Sequence, residues 1–520
     1  MPTASPTKAL QRLERFGLLG AAVIVMLPLA GLALAYAHPI GLIDAPPIHS
    51  ERLLFATVQT VSLSLMVTAA SLTLGSLFAW IQVRWQFWGS SLLTRLSILP
   101  LVLPSFLLAA TLREGFAPLG SLGALLGREA PFSGLGAAFL VLTLSCTPYV
   151  QLVVSAALMR LPAHAEEAAQ TLGAPPSKVF WQVVFPALRP ALGFAALLVV
   201  VYAAADFGAV AVMDVPVLTY ELYQFAGRGG VQAPLIGLVL IGTIVPMIVL
   251  GRRLSGDQSR TQLSYGRTRY RSRRPAPRWG QLVGTASLLL YLLFGLVLPL
   301  SLVAYWGLTL PLQGALQRPI ITTLIVGTLG GFMSLLLGGF PAVLVSAQPK
   351  RSALETLTFI GSGVPGVMIG YGLLQLALRL PDNPLRALAE GGGLLCLGLA
   401  LRFASHGYAA LKPALITQSQ QSLDAARLLG AGSWRIARRI RLPHLAPALA
   451  SGFLLSFVAI VKELPISLLL LPAGQTTLAT RIFDAHDDAH LGDLGAASLW
   501  LLLMVLGAQV VLWRWSHHEH

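Results

Sequence analysis

The chain has 520 residues, of which 55% are hydrophobic and only 11% charged. A water-soluble domain carries about a quarter charged residues, so an ordinary soluble domain is excluded and a bilayer is the expected solvent. The formal net charge is +15, and the two cysteines, Cys146 and Cys396, both sit inside apolar runs, where they read as packing residues rather than as disulfide or metal partners.

About 20 apolar residues, rising ~1.5 Å each, cross the hydrocarbon core of a membrane. From the N-terminus, uncharged runs of suitable length are Phe16–Ala37, Leu53–Trp80, Leu96–Leu112 and Ala130–Met159. Pro190–Met213 is interrupted only by Asp206, and Ala233–Gly251 follows. Beyond a basic stretch come Trp279–Gln317 (one span plus a loop), Pro319–Pro349 and Thr356–Leu378. Gly391–Leu411 is broken only by Arg402, Leu445–Leu471 only by Lys462 and Glu463, and Leu494–Trp513 closes the series. The pattern predicts an all-α polytopic membrane protein of twelve transmembrane helices. The runs do not alternate as barrel strands do. The first exceeds a signal-peptide core and lacks a clear small-x-small cleavage site, so it is expected to be retained.

With the N-terminus inside, most lysines and arginines fall in loops on that same side. The positive-inside rule then places both termini in the cytoplasm. Arg252–Arg278 holds nine arginines against one aspartate. No folded module surrounds it, so no nucleic-acid partner is expected; it reads as a linker that anchors topology and touches anionic membrane lipid.

An internal repeat organises the rest. Glu167-Ala168-Ala169, then Gly173, then Val183-x-Phe185-Pro186 recurs as Asp424-Ala425-Ala426, then Gly430, then Ile440-x-Leu442-Pro443, with every internal spacing kept. The same offset relates Pro190 to Pro447 and Asp206 to Glu463. Upstream, Gly75-x-x-x-Ala79 echoes Gly338-x-x-x-Ala342, small-residue pairs that let helices approach closely. Pro104 and Pro365 fall inside the third and ninth runs. The expected organisation is a first six-helix half over 1–251, a basic linker over 252–279 and a second six-helix half over 280–520. An even span number makes the two halves parallel, with a pathway along the pseudo-two-fold axis.

Each copy reads as a helix, a glycine turn, a second helix and then a span. Gly173 and Gly430 suit the positive φ that ends a helix, and Pro186 and Pro443 suit the start of the next one. Two copies at one spacing point to an interaction face rather than to idle amphipathic loops.

This pattern resembles the EAA motif, E-A-A-x3-G-x9-I-x-L-P, of binding-protein-dependent ABC permeases. The second copy departs from it at Asp424, and the first at Val183 and Phe185. The resemblance implies a type I ABC importer permease fold and a coupling role for both loops. It implies as partners an ABC ATPase dimer seated on those loops and a periplasmic substrate-binding protein. Ala205-Asp206-Phe207-Gly208-Ala209-Val210 and Lys462-Glu463-Leu464-Pro465 look like segments of fused ferric-iron permeases, as do Leu218-Thr219 and Leu478-Ala479-Thr480-Arg481. Thiamine permeases share the fused layout but are less similar.

Asp206 and Glu463 are the candidate pathway or gate residues, since an acid inside a membrane is costly unless used or locally satisfied. The alternative is satisfaction by a helix end or a basic neighbour. Asp484-Ala485-His486-Asp487-Asp488-Ala489-His490 has the residue types of a metal cluster but reads as a solvated periplasmic loop, and His517-His518-Glu519-His520 as a cytoplasmic tail; no metal site is assigned. Leu254-Ser255-Gly256-Asp257-Gln258 resembles the ABC ATPase signature, yet no G-x-x-x-x-G-K-[ST] loop exists, so nucleotide chemistry is expected on a separate subunit and no cofactor here. An ion-coupled secondary transporter is the competing class, with Asp206 and Glu463 as its coupling acids.

Overall fold

The computed structural model describes residues 26–39, 49–118, 120, 122–124, 127, 131–161, 163–228, 230–255, 274–347, 352–379, 386–387 and 389–517. Most of the basic linker lies outside these, as do Gly256–Gln258 of the ATPase-like run, the terminal His518–His520 and residues 16–25 of the first apolar run.

In chain order the helices are α1 (Met26–Ala37), α2 (Ser50–Arg84), α3 (Ser90–Leu96), α4 (Ser105–Gly115), α5 (Leu135–Arg160) and α6 (Ala163–Thr171). Next come α7 (Pro176–Ala205), α8 (Gly208–Val212), α9 (Leu218–Ala226), α10 (Gln232–Ser255) and α11 (Arg278–Thr309). They are followed by α12 (Gln317–Ala347), α13 (Ser352–Gly363), α14 (Gly366–Ala377), α15 (Leu394–Thr417) and α16 (Gln420–Leu428). The series ends with α17 (Ser433–Val461), α18 (Pro465–Leu470), α19 (Leu478–Asp487) and α20 (Leu491–His517).

Among the described residues nine helices are long and apolar enough to cross a membrane, and the pair Ser90–Val102 and Ser105–Gly115, bent by 95°, is a broken span or a re-entrant loop. Met26–Ala37 and Gly366–Ala377 are shorter apolar helices. Every predicted run therefore contains helix, but the third and ninth are not straight spans. Proline explains both breaks. Its ring fixes φ, it has no N–H to donate, and it pushes the preceding residue away from helical geometry. Leu103 (ψ 123°) and Pro104 (ψ 147°) are extended, and α4 restarts behind them. Pro365 (ψ 137°) does the same ahead of α14.

Two compact units form, one from residues 46–224 and 235–308, the other from the chain before residue 46, residues 225–234 and residues 309–520. In the first, α2 and α5 meet where Gly75 faces the Thr147 carbonyl, 2.8 Å from where a Cβ would sit. Thr60 Oγ1 donates to the Ala56 carbonyl and accepts from the Leu218 N–H at 2.9 Å, tying α2 to the start of α9. Against this bundle lies α11, although it opens the second half of the sequence. Tyr291 Oη donates to the Leu144 carbonyl (3.0 Å), and the Tyr291 ring packs on Phe78. A short parallel pair, β1 (Trp85–Gln86) with β2 (Arg274–Pro275), leads into it.

The second unit repeats these contacts on its own residues. Gly338 of α12 faces the Ala404 carbonyl of α15, 2.0 Å from a would-be Cβ. Thr323 Oγ1 donates to the Pro319 carbonyl and accepts from the Leu478 N–H at 2.8 Å. Here the added helix is α1. Gly31 and Gly372 bring its backbone against α14, where a Cβ on Gly31 would stand 1.9 Å from the Gly372 carbonyl oxygen. The compact units are thus not the sequence halves: each takes the first span of the other's half.

Thr60→Val and Thr323→Val should each destabilise the protein by ~1–3 kcal/mol. Each leaves a buried backbone N–H, that of Leu218 or Leu478, without its acceptor. Thermal unfolding of the detergent-solubilised chain reads the loss, with Thr73→Val, whose hydroxyl serves only its own exposed helix, as the near-neutral control.

Candidate functional site: two elbows and two helix breaks

The repeated loops fold into the same elbow. In the first, α6 ends in a left-handed glycine, with Gly173 at φ 80°. Ala174 N–H donates to the Ala169 carbonyl at 3.0 Å and Gly173 N–H to the Gln170 carbonyl at 3.0 Å. In the second, Gly430 has φ 77°, and Ala431 and Gly430 donate to the Ala426 and Arg427 carbonyls at 3.0 and 2.9 Å. Both are the six-to-one, five-to-two pattern that closes a helix while reversing the chain. Ser419 caps the start of α16, its side chain accepting from Ser422 N–H.

The helix after each glycine does not stop before the span. It runs straight into it through one widened turn, at Phe180–Val184 in α7 and Ala437–Arg441 in α17, where the Phe185 and Leu442 N–H groups reach back to the Phe180 and Ala437 carbonyls. Pro186 and Pro443 follow these turns directly. A proline removes one backbone donor and crowds the carbonyl four residues back, and a π-type turn relieves that crowding.

Burial divides each elbow in the same way. Glu167, Ala168, Asp424 and Ala425 are exposed, Ala169 and Ala426 half-buried. The outer face carries Leu172 (88% exposed), Leu428 (89%), Leu429 (87%) and Trp434 (78%). Each elbow thus presents large apolar side chains to the outside of a charged loop. The Asp424–Arg427 pair (2.8 Å) is solvent-exposed at both ends and adds little stability. The position just before each motif points inward: Glu166 is 5% exposed and Leu423 fully buried. Glu166 is ion-paired with Arg84 at the end of α2. The motif spacing drew attention to Glu167 instead; the doubled acid at 166–167, and the lone arginine after a long apolar run at 84, were the available signals.

Asp206 and Glu463 do not lie within continuous spans. The helix ends at Ala205 in one copy and at Val461 in the other, and a short helix restarts after each acid. Asp206 accepts from Ser105 Oγ (2.6 Å) and from the Ala209 N–H (2.8 Å), so it bridges the break behind Pro104 to the restart at α8. Thr219 Oγ1 donates to its carbonyl at 2.7 Å. Glu463 pairs with Arg402 at 3.4 Å, and Arg402 Nη1 also donates to the Val364 carbonyl beside Pro365. Each unit therefore joins its two helix breaks through one acid, Asp206 by hydrogen bonds and Glu463 by its ion pair. A side chain at Gly366 would meet Glu463 Oε1 at 2.4 Å and Arg402 Nη1 at 2.7 Å, so a larger residue there would displace the ion pair.

Asp484–His490 is only in part a solvated loop: Asp487–Ala489 are exposed, but Asp484–Asp487 belong to a helix. Residues Leu478–Asp487 form a helix closed by a Thr477–Thr480 capping box, with His486 buried. Burial pushes the Asp484 carboxyl up; Arg481 opposes this, and Asp487 and Asp488 add to it. Among the described residues no three histidine, cysteine or acidic side chains converge to hold a metal ion.

The family described as "Binding-protein-dependent transport system inner membrane component" matches residues 71–254 and again 334–513. The chain belongs to that family. Each match takes in one elbow and one acid-joined break, so the geometry above belongs to a multi-pass transport subunit rather than an enzyme. The permease is 25% identical over 461 residues to the Fe(3+)-transport system permease protein FbpB 2 of Haemophilus influenzae, covering 86% of this chain and 87% of that one. It is 30% identical over 203 residues to the sulfate transport system permease protein CysT of Synechococcus elongatus, 35% of this chain and 69% of that protein. It is 24% identical over 252 residues to the putative 2-aminoethylphosphonate transport system permease protein PhnV of Salmonella typhimurium, 44% of this chain and 92% of that protein.

Removing one partner of a buried ion pair strands the other charge. The Arg402 and Glu463 side chains are 18% and 8% exposed. Glu463→Gln should therefore cost ~3–5 kcal/mol. Arg402→Leu with Glu463→Leu should recover much of it, a difference that thermal unfolding of the permease resolves.

Proposed function

We propose that this permease is the membrane subunit of an ATP-driven importer, with ATP hydrolysed on a separate ATPase dimer docked on the two elbows. The observation that carries this reading is the pair of elbows: one hydrogen-bond pattern, one exposed leucine-bearing face, built twice at matching positions. A lone docking loop serves one partner surface; two equivalent loops fit the two equivalent grooves of a dimeric motor. On this reading the chain crosses the membrane twelve times as two parallel six-span repeats, with both termini and both elbows in the cytoplasm and the basic linker against anionic headgroups. A periplasmic binding protein delivers the cargo from the other side. ATP binding moves the elbows and shifts the populations of inward- and outward-open states. The acid-joined breaks at Asp206 and Glu463 are the proposed gate elements, since irregular backbone at membrane depth belongs beside a cavity.

Ferric iron is the proposed cargo, supported by the iron permease FbpB 2, whose similarity runs through both halves. An oxyanion is the second reading, favoured by Arg402 at a helix break and by the sulfate permease relative. A thiamine-type cargo has no such support beyond the fused layout. Uptake of radiolabelled ferric iron and of labelled sulfate, in cells with and without the permease, separates them: iron uptake alone should fall. Vesicles given a proton gradient but no ATP should take up neither; uptake there would make the chain an ion-coupled secondary transporter.

A further inference from the structure

The first elbow is fastened to the bundle differently from the second. Glu166 immediately precedes the exposed Glu167 of α6 and is ion-paired with Arg84, the last residue of α2. Both side chains are largely buried, at 6% and 11% exposure. The Arg84 guanidinium sits 5.3 Å from the Trp80 ring, and Trp80 packs edge-to-face on Phe180, the first residue of the widened turn in α7. One arginine thus touches α2 on its own helix and α6 through charge, while its neighbour Trp80 grips α7. Beside the pair lies a cavity of about 370 Å³ lined by Glu166, Gln182, Val183 and Pro186. Glu166 thus borders open space on one side and the Arg84 guanidinium on another, and the ion pair ties α6 to α2.

The second elbow lacks both partners together. In the register set by Gly75 and Gly338, Arg84 corresponds to Ala347; in the register of the repeated loop, Glu166 corresponds to Leu423. Leu423 is fully buried, so an apolar contact holds the position that a charge holds in the first copy. A buried ion pair is rarely better than apolar packing for stability, but it demands one geometry and fails sharply when one partner goes.

We propose that Arg84 and Glu166 are positioning residues that latch the first elbow to α2, so that motion imposed on α6 is passed to the second span. This rests on the elbows being ATPase-docking loops. The latch makes the two elbows unequal: one drives its bundle through a charge pair, the other through Leu423.

The test uses the permease with its cognate ATPase in nanodiscs, with Cys146 and Cys396 replaced by alanine. Spin labels go on cysteines at exposed Trp88 and at exposed His164 of α6, which leaves the docking leucine in place. Electron–electron distance distributions are recorded without nucleotide and after ATP–vanadate trapping. In the unaltered latch the distance stays constant between states, because elbow and α2 move as one. Glu166→Gln should keep the ATPase bound yet broaden the distribution and make it shift on trapping. Arg84→Glu combined with Glu166→Arg should restore the constant distance, a rescue that simple loss of packing does not permit. The latch is overturned if Glu166→Gln leaves the distribution narrow and constant, if the exchanged pair fails to rescue, or if Glu166→Gln alone releases the ATPase. Failure of the unaltered chain to hold the ATPase overturns the docking reading itself, and the latch with it.

Discussion

Changing Gly173 and Gly430 together to valine should strip the ATPase from the permease while leaving the helical bundle assembled. Both glycines have φ near 80° and close their elbow helices with paired hydrogen bonds. A left-handed backbone costs an ordinary residue ~1–2 kcal/mol, and a β-branched residue tolerates it worst. Neither position has any atom within 4 Å of a would-be Cβ, so the damage is to backbone direction and not to packing. Losing the turn re-aims Leu172 in one copy and Leu428 and Leu429 in the other. On the proposed docking of one ATPase dimer by both loops, binding is bivalent, and disabling both removes the avidity as well as the contacts. Co-purification of the ATPase on tagged permease should fall by at least ~10-fold, which needs only ~1.4 kcal/mol. Gly173→Asn with Gly430→Asn, which suits positive φ, should keep most of it. Undiminished recovery with the double valine would remove the elbows from the docking surface.

Gly338→Leu should prevent the second unit from forming. A Cβ at Gly338 would lie 2.0 Å from the Ala404 carbonyl oxygen and 2.7 Å from the Tyr408 nitrogen. These are backbone atoms of α15, so no rotamer change relieves the clash and the two longest-packed helices must separate. Overpacking costs ~1–3 kcal/mol even where side chains yield, and here the loss should exceed that and abolish a monodisperse, folded species. Gly75→Leu should be milder: its closest would-be contacts, Val150 Cβ at 2.6 Å and the Thr147 carbonyl oxygen at 2.8 Å, are longer than the 2.0 Å at Gly338. Gly507→Leu, with open space around its Cβ, is the control expected to purify normally. Size-exclusion profiles of the three variants give the ranking.

Much of this was legible in the chain. The apolar runs located a helix at every predicted span, because hydrophobicity over 20 residues is a strong and local signal. The elbows were legible for another reason: Gly173 and Gly430 stand at identical spacing, and the left-handed conformation they supply leaves few other choices. Pro104 and Pro365 were visible as breaks but not as a 95° fold in the first of them, since bend angle depends on what the next helix packs against. The same holds for Asp206 and Glu463. Composition marked them as costly, while their partners Ser105 and Arg402 are far away in sequence. The exchange of α1 and α11 between the compact units left no local trace, because an apolar helix carries no label for which bundle it joins. Asp484–Asp487 reads as part of a loop because its charge run hides the end of a helix whose buried face bears Ile482, Phe483 and His486.

The central claim is that both elbows stand on the cytoplasmic side and carry the ATPase. Single cysteines at Leu172 and at Leu429, in a chain otherwise free of cysteine, test it with a membrane-impermeant maleimide on intact spheroplasts and on inverted vesicles. Both positions should react in inverted vesicles only, and added ATPase should protect both. Reaction from the outside at either position, or labelling that ATPase leaves unchanged, would contradict the account.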